Sequence, residues 1–449
     1  MQDEHRIPQL APGMRPPIQQ GELAVVVGAG ESGIAATKLL KAVGARVRLL
    51  EKYPDRISES LRALADEGRL EIVTGDHFPE HFHGAALVVT SPGVPVSFLA
   101  PMVSDGTEII AELELALRYV HEPILAVTGT SGKTTTVSLA AAMLEEAGKE
   151  VFLGGNIGTP LSLYVLGDTR ADVLVLELSS FQLQGTESLK PKVAVFLNLS
   201  ENHLDHHASM AEYCAAKFSI FARQKSDDLA VLPPELLDSY TAGGYSARVA
   251  IFRPGNRFLS MRLLGRHNAA NAEAAYLACR EFGVSEAEAV RAAEAFAPLR
   301  HRLESAGVVD GVLYVNDSKS TTVDALRAAL NSFESPVILL AGGKFKGGDL
   351  KSLLPLLSDR VKAVALFGAS REIFEQAWSG AVALTWDPDM ALALSRARAL
   401  AREGDVILLS PATSSYDLYA NYKERGNHFC RLVEDFHMGA VFSTSERQS

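Results

Sequence analysis

The stretch VTGTSGKTTTVSLA, Val127 to Ala140, joins an apolar run, Ile124 to Val127, to a helix-like run that lasts to about Gly148. Glycines after a strand let backbone N–H groups turn toward an anion, and the following helix presents its positive N-terminus to the same place. Gly129, Thr130, Ser131, Gly132, Lys133, Thr134 and Thr135 are therefore candidate nucleotide-binding residues. In such a loop the lysine, here Lys133, sets a point charge on the β- and γ-phosphates, and the hydroxyl of Thr134 can reach Mg²⁺. The spacing is unusual: the general pattern G-x-x-x-x-G-K-[ST] has a longer gap than that between Gly129 and Gly132.

Other residues could share this chemistry. Glu177 closes the apolar run of LVLELSSFQL; a carboxylate at a strand's carboxyl end beside a phosphate loop is placed to hold Mg²⁺ or its waters, the plain alternative being a helix N-cap or surface carboxylate. In NLSENHLDHHASMAEYCAAKF, His203, Asp205, His206 and His207 precede a helical run that reaches Lys217. Zinc would need closed N/S ligation and no cysteine is suitably spaced, so Mg²⁺ with one imidazole fits better, a solvated polar turn being the alternative. VVVGAGESG carries Gly28, Gly30 and Gly33 after an apolar run, with Glu51 at the end of the next. That is the dinucleotide fingerprint, but its physics suits any pyrophosphate, so NAD(P), another nucleotide and a purely structural turn all stay open. Asn268 and Asn271 share a helix face in RHNAANAEAAYLAC and could read an adenine edge or cap the helix. The loops LRHRLE, VNDSKSTT, AGGKFKGGD and SPATSSYDLYANYKERG supply Arg302, Asp317, Lys319, Thr321, Lys346 and Ser415, and cations and hydroxyls at strand ends suit a dianionic substrate.

The elements that must position these groups are strand-like runs rich in Val, Ile and Leu: LAVVVG, ARVRLL, ALVVTSPG, PILAVTG, ADVLVLELS, KVAVFLNLS, PVILLAGG, VKAVALFG and DVILLSP, with helical stretches between them, one of them from His267 to Ala297. This is the pattern of parallel sheets covered on both faces. The chain has 449 residues, 47% of them hydrophobic and 22% charged, as an ordinary globular α/β protein does. A formal net charge of -11 speaks against a basic nucleic-acid-binding surface. Cys214, Cys279 and Cys430 form no CxxC pair and read as reduced thiols in the cytoplasm. No apolar run approaches the ~20 residues of a membrane span, and the N-terminus has no apolar h-region. We expect a loose tail over 1–20, then domains over 21–121, 122–298 and 299–449.

TGTSGKTTT, GGNIG, LELSSFQL, NLSENHLDHH, HNAAN, LRHRLE, VNDSKSTT and LLSPATSSYD together resemble the ATP-dependent Mur ligases of peptidoglycan synthesis, in the family's order and over nearly the whole chain after the first 20 residues. The family's shorter phosphate loop accounts for the glycine spacing. The resemblance implies a Rossmann-like N-terminal domain, a central P-loop ATPase domain and a C-terminal Rossmann-like α/β domain that closes over the site. It implies that the first domain holds the UDP part of a substrate rather than NAD, through Gly30, Glu31, Ser32, Gly33, Glu51, Lys52, Ser91 and Gly93, and that Asn156 contacts the muramoyl part. LELSSFQL with the C-terminal motifs resembles the D-glutamate-adding branch, which implies UDP-N-acetylmuramoyl-L-alanine, D-glutamate and ATP as substrates, an acyl-phosphate intermediate, no nucleic-acid or membrane partner and a monomer. On the same resemblance Thr134 and Glu177 hold one Mg²⁺ and His203 a second, beside a Lys217 that CO₂ has carbamylated, a plain salt-bridging lysine being the alternative. Asn268, Asn271, Arg302 and Asp317 match the ATP positions; Lys319, Thr321, Lys346, Ser415 and Tyr422 match the amino-acid pocket, with Lys344 competing for the place of Lys346. Tyr422 stands where the family often has Phe, and Ser131 where it often has Asn. An NAD(P) oxidoreductase leaves the phosphate loop and Glu177 without a task. A ligase adding a diamino acid, or a folylpolyglutamate synthase, fits LELSSFQL and SPATSSYD less well. A non-catalytic nucleotide binder leaves Lys133, Glu177, His203 and Lys217 unexplained.

Overall fold

Strands with both faces apolar need cover on both sides, and the chain meets that need with three sheets flanked by helices. The computed structural model describes residues 8–445 except 67, 69, 92, 93, 95, 201–208, 259, 262, 264, 265, 298, 299 and 334. The first sheet contains β1 (Leu23–Val27), β2 (Arg46–Glu51), β3 (Leu70–Thr74), β4 (Ala85–Thr90) and β5 (Glu108–Ala111) in the order β3-β2-β1-β4-β5, all parallel. The second contains β6 (Ile124–Thr128), β7 (Val151–Gly155), β8 (Val173–Glu177), β9 (Val193–Phe196), β10 (Leu229–Leu232) and β11 (Arg248–Ile251) in the order β11-β10-β9-β6-β8-β7, again all parallel. The third contains β12 (Glu304–Val309), β13 (Val312–Asn316), β14 (Val337–Gly342), β15 (Val361–Phe367), β16 (Ala383–Asp387) and β17 (Val406–Leu409) in the order β12-β13-β17-β14-β15-β16. Only β12 in this sheet runs antiparallel to its neighbour. In each sheet the carboxyl ends of parallel strands fall on one edge, where loops can gather functional groups.

The chain forms two compact units: one runs to Phe258 and takes in Ala270–Ala293, the other comprises 259–269 and the chain from Glu294. The first unit holds two of the sheets. A single core links them, from Ala24 and Val26 of β1 to Ala126, Leu174 and Ala194 of the central sheet, and helix Glu31–Ala42 packs on helix Leu161–Leu166. Two buried carboxylates on helix Glu112–Leu117 add specific links. Glu112 Oε1 accepts the Ser162 N–H at 2.7 Å. Glu114 Oε2 accepts the N–H groups of Glu187 and Ser188 at 2.9 and 2.7 Å, while its Oε1 takes the Ser188 hydroxyl at 2.6 Å and Arg118 Nε at 3.1 Å. Buried carboxylates are tolerated only when so completely bonded.

Two expectations need correction. The described part of the segment expected to be loose, 8–20, has no helix or strand but is packed: Ala11 and Ile18 are buried, and the Ala11 N–H donates to the Arg118 carbonyl at 2.8 Å. Its apolar residues outweigh its prolines. The helical stretch expected over 267–297 is two helices, Arg266–Cys279 and Glu286–Ala295, separated where Gly283 adopts φ 89°, a left-handed conformation that suits glycine.

Glu114→Ala, which takes the acceptor from two backbone N–H groups and the Ser188 hydroxyl and leaves Arg118 only Glu108, is expected to lower unfolding free energy by about 3–5 kcal/mol. Glu71→Ala, which breaks an exposed pair with Arg48, is expected to change it by about 0–1 kcal/mol. Urea unfolding of both variants measures the contrast.

Candidate active site

At the carboxyl edge of the central sheet, β6 lies between β9 and β8, so the loop that follows β6 is flanked by the ends of both. The end of β9 fixes its shape. Thr130 N–H donates to the Asn198 carbonyl at 3.0 Å, Ser131 N–H to Asn198 Oδ1 at 2.9 Å, and Asn198 Nδ2 to the Ser131 carbonyl at 3.1 Å. Thr130 Oγ1 accepts the Ser200 N–H at 3.0 Å and lies 3.2 Å from the Tyr213 hydroxyl. Gly132, at φ 82°, immediately precedes helix Lys133–Glu146; a Cβ there would stand 2.6 Å from Asn271 Oδ1. Asn271 thus packs against the phosphate loop, within helix Arg266–Cys279 rather than at its cap. Asn268 is buried on the same helix. Thr134 is half-buried in the first turn of the loop's helix and Thr135 is buried.

Charge converges on this loop. Lys133 Nζ donates to the carbonyls of Gly129 at 2.8 Å and Thr130 at 3.1 Å, and Lys217 Nζ donates to the same Gly129 carbonyl at 2.9 Å. Lys217 is 2% exposed and its ammonium lies 4.7 Å from the Tyr213 ring centroid. Burial, with repulsion from Lys133, lowers its pKa from 10.5 to about 7, and Glu177 opposes the shift. Glu177 is also buried; its Oε1 accepts from Asn156 Nδ2 at 3.0 Å, and its Oε2 has no hydrogen-bond partner among the described residues. The N-cap alternative for Glu177 is excluded: Ser179 caps helix Ser180–Gln184, and the Gln182 side chain returns to the Ser179 N–H at 3.1 Å. An unpartnered buried carboxylate oxygen beside a phosphate loop fits a hard cation. The expected ligand His203 lies outside the described residues, as does Gly93.

The carboxyl edge of the first sheet supplies a second group. Gly33 must lack a side chain, because a Cβ would stand 1.9 Å from the Gly28 carbonyl oxygen. The Glu51 carboxylate is buried and accepts the Ala29 N–H at 2.8 Å and the Tyr53 N–H at 3.0 Å, so it braces the glycine loop against the end of β2. Lys52 is exposed and pairs with Asp76 at 3.1 Å. Glu31 and Ser32 line a cavity of about 340 Å³ with Gly155, Asn156, Gly158 and Gln182; Gly30 opens the helix that carries them. A cavity of about 360 Å³ also reaches Gln182 and is lined by Ser91, Glu112 and Phe181. Expected residues of two sheets, Glu31, Ser32 and Asn156, thus meet in one cavity, which Glu51 and Lys52 do not line.

In the second unit, the antiparallel pairing of β12 sets Glu304 opposite Asn316, bringing Arg302 to the carboxyl end of β13. Asp317 is buried, with Oδ1 accepting the Leu303 N–H at 3.3 Å and Oδ2 the Ser410 hydroxyl at 3.0 Å. Burial pushes its carboxyl up to about 7 against the pull of Arg302. Lys319 lies 5.4 Å from the Tyr422 ring centroid and Lys346 5.2 Å from that of Tyr416. Thr321 is half-buried; Ser415 is buried, and its carbonyl accepts the N–H groups of Leu418 and Tyr419. The sequence reading missed Arg425, whose guanidinium is buried and donates to Ser318 Oγ at 3.0 Å and to the carbonyls of Ser318 at 2.8 Å and Thr413 at 3.1 Å. It also missed Asn198, Gln182 and Tyr213, which stand inside quoted motifs but carry no charge to draw notice.

The Mur ligase middle domain family matches residues 127–240, and the Mur ligase, glutamate ligase domain family matches residues 301–413. A UDP-N-acetylmuramoylalanine–D-glutamate ligase of Oleidesulfovibrio alaskensis is 58% identical over 426 residues, covering 93% of this chain and 95% of that protein. This chain belongs to the Mur ligase family. Relatives of the same description from Lawsonia intracellularis and Desulfosudis oleivorans are 50% and 38% identical, over 91% and 95% of this chain and 93% and 99% of theirs. Among solved Mur ligases, MurF of Thermotoga maritima in complex with ADP shares the fold at TM-score 0.57 and 17% identity, covering 99% of this chain and 100% of that one. The UDP-N-acetylmuramate-alanine ligase MurC of the same organism does so at TM-score 0.54 and 18% identity, covering 93% and 99%. The three-domain α/β architecture expected from the sequence is thus that of the family.

The low pKa of Lys217 has a stability consequence. Between about 7 and the ordinary 10.5 the unfolded chain binds the extra proton, so burying Lys217 costs most below that window and the cost fades as pH rises through it. With CO₂ excluded, so that Lys217 is the free amine, Lys217→Met is therefore expected to raise the melting temperature more at a pH near 6.5 than near 9.5. Equal gains at both pH values, measured by thermal unfolding, would contradict the shift.

Proposed function

We propose that this Mur ligase joins D-glutamate to the alanyl carboxylate of UDP-N-acetylmuramoyl-L-alanine with hydrolysis of ATP, as a cytoplasmic monomer. The observation that carries the reading is a phosphate loop set against a buried carboxylate oxygen, Glu177 Oε2, that has no partner among the described residues, in a chain 58% identical to a relative named for that reaction. A carboxylate is a poor acceptor for an amine. Its oxygen attacks the γ-phosphorus of ATP, the bond to the β-phosphate oxygen breaks, and ADP leaves an acyl phosphate. The amine of glutamate then attacks the carbonyl carbon, the tetrahedral adduct expels inorganic phosphate, and the amine gives up a proton.

The first step brings two anions together, so cationic and N–H groups must be in place beforehand. The Gly129–Thr135 backbone and Lys133 hold the β- and γ-phosphates. Thr134 and Glu177 are the proposed holders of one Mg²⁺, and His203 with carbamylated Lys217 of a second. Bound Mg²⁺ supplies charge neutralisation at the phosphates. Lys217 suits carbamylation because an amine with a pKa of about 7 is substantially neutral near neutral pH. Its lone pair adds to CO₂, the N–C bond forms, a proton leaves, and an anion replaces a cation beside Lys133. We assign Asn268, Asn271, Arg302 and Asp317 to ATP, and Gly30 to Gly33, Glu51, Lys52, Ser91, Gly93 and Asn156 to the UDP substrate. Glu51 acts there through the loops it braces. Lys319, Thr321, Lys346, Ser415 and Tyr422 are assigned to glutamate.

Phosphate release with UDP-N-acetylmuramoyl-L-alanine and ATP is expected with D-glutamate and not with L-glutamate; release with L-glutamate alone would overturn the assignment. Lys133→Ala is expected to lower kcat by roughly 10²–10³ in the same assay. In ¹³C-bicarbonate buffer the native chain is expected to show a carbamate carbon resonance that Lys217→Met lacks, and identical spectra would remove the carbamate from the reading.

A further inference from the structure

Lys344 and Lys346 compete for one role in the loop after β14, and the structure separates them. Lys344 is held by its backbone, in an antiparallel bridge: its N–H donates to the Ser414 carbonyl at 2.9 Å, and its carbonyl accepts the Ser414 N–H at 3.1 Å and the Ser414 hydroxyl at 2.9 Å. Lys346 instead sets its ammonium 5.2 Å from the ring centroid of Tyr416. Lys319 stands in the same relation to Tyr422, at 5.4 Å. Both rings belong to the segment after β17, with Ser415 beside the first.

That segment does not need Tyr416 to fold. Asp417 Oδ2 accepts the Ala369 N–H at 3.0 Å, and Gly368 leaves room for it, since a Cβ there would stand 2.4 Å from that oxygen. The Tyr419 hydroxyl meets His428 Nδ1 at 2.8 Å. Arg425 ties Thr413 to Ser318. The Tyr416 ring stays outside this framework at 65% exposure. An aromatic face attracts an ammonium without cancelling its charge, and among the described residues Lys346 has no ion pair, so its charge remains available to an anion.

We propose that Tyr416 is a positioning residue for amino-acid recognition. Its ring holds the Lys346 ammonium, so that this cation is already placed when a carboxylate of glutamate arrives. The proposal rests on the reading of glutamate as substrate and extends it to side-chain length. Lysine stems are flexible, and fixing the head groups before the ligand arrives reduces the ordering that binding demands.

The test is steady-state phosphate release by the full chain, with ATP and UDP-N-acetylmuramoyl-L-alanine saturating and D-glutamate varied. Tyr416→Leu is expected to raise the KM for D-glutamate roughly three- to fivefold, the scale of an exposed cation–π contact, with kcat, the KM for ATP and the melting temperature unchanged. The preference for D-glutamate over D-aspartate is expected to fall with it. Tyr416→Phe keeps the ring and is expected to keep wild-type values; Lys346→Ala raises the same KM, and Lys344→Ala does not. Absence of release from the wild-type chain would overturn the substrate reading and this proposal together. An active wild type whose KM for D-glutamate is unmoved by Tyr416→Leu, or a Leu variant that loses kcat and melting temperature instead, overturns this proposal alone.

Discussion

The Gly129 carbonyl oxygen accepts from two ammonium groups, those of Lys133 at 2.8 Å and Lys217 at 2.9 Å. Burial, and then repulsion between the two like charges, bring the Lys217 pKa down to about 7. Glu177 offsets part of the shift, and its Oε2 has no partner among the described residues. Among the described residues, two cations and one half-bonded carboxylate therefore share this place. A polyphosphate and a divalent cation would complement such a set, and a carbamate would convert one of the competing cations into an anion. The protein holds this frustrated set in place through Asn198, Thr130 and the helix that begins at Lys133, none of which depends on the ligand.

The same topological device recurs in each sheet. Parallel strands deliver their following loops to one edge, so residues far apart in sequence meet: Glu31 and Ser32 with Asn156, Ser131 with Asn198, Asp317 with Ser410. The one antiparallel strand, β12, is the exception that adds to the pattern. By running against β13 it places its amino end, preceded by Arg302, where all the other strands place their carboxyl ends.

What the sequence discloses follows from what each residue faces. Strands buried on both faces show as continuous apolar runs, and all nine quoted runs are strands. Eight strands fall outside those runs: the six edge strands, β3, β5, β7, β11, β12 and β16, and the short interior strands β10 and β13. ESAGVV and ALTWD mix polar and apolar residues because one side of an edge strand is less covered. The charged residues of the phosphate loop and of β8 were legible because their chemistry is written in their side chains. Asn198 and Arg425 were not, because they act by bonding backbone groups that only the folded chain brings near. Glu51 was legible as a position but not as a role: its carboxylate is taken up by two backbone N–H groups, a use that strand-end spacing cannot distinguish from ligand binding.

The second unit divides its cations by task. Arg425 is buried, its guanidinium pulled down to about 10 by desolvation, and its bonds go to Ser318 and Thr413. A guanidinium suits this because its fork can hold several acceptors at once, and an apolar residue there would strand those carbonyls. Lys319 and Lys346 rest on aromatic faces instead. Because Arg425 already joins the loops after β13 and β17, the lysines do not have to serve as structural ties. A site for a small dianion needs that separation. A cation whose charge is spent on holding the fold together has little left for a ligand, whereas an aromatic face attracts an ammonium without cancelling its charge.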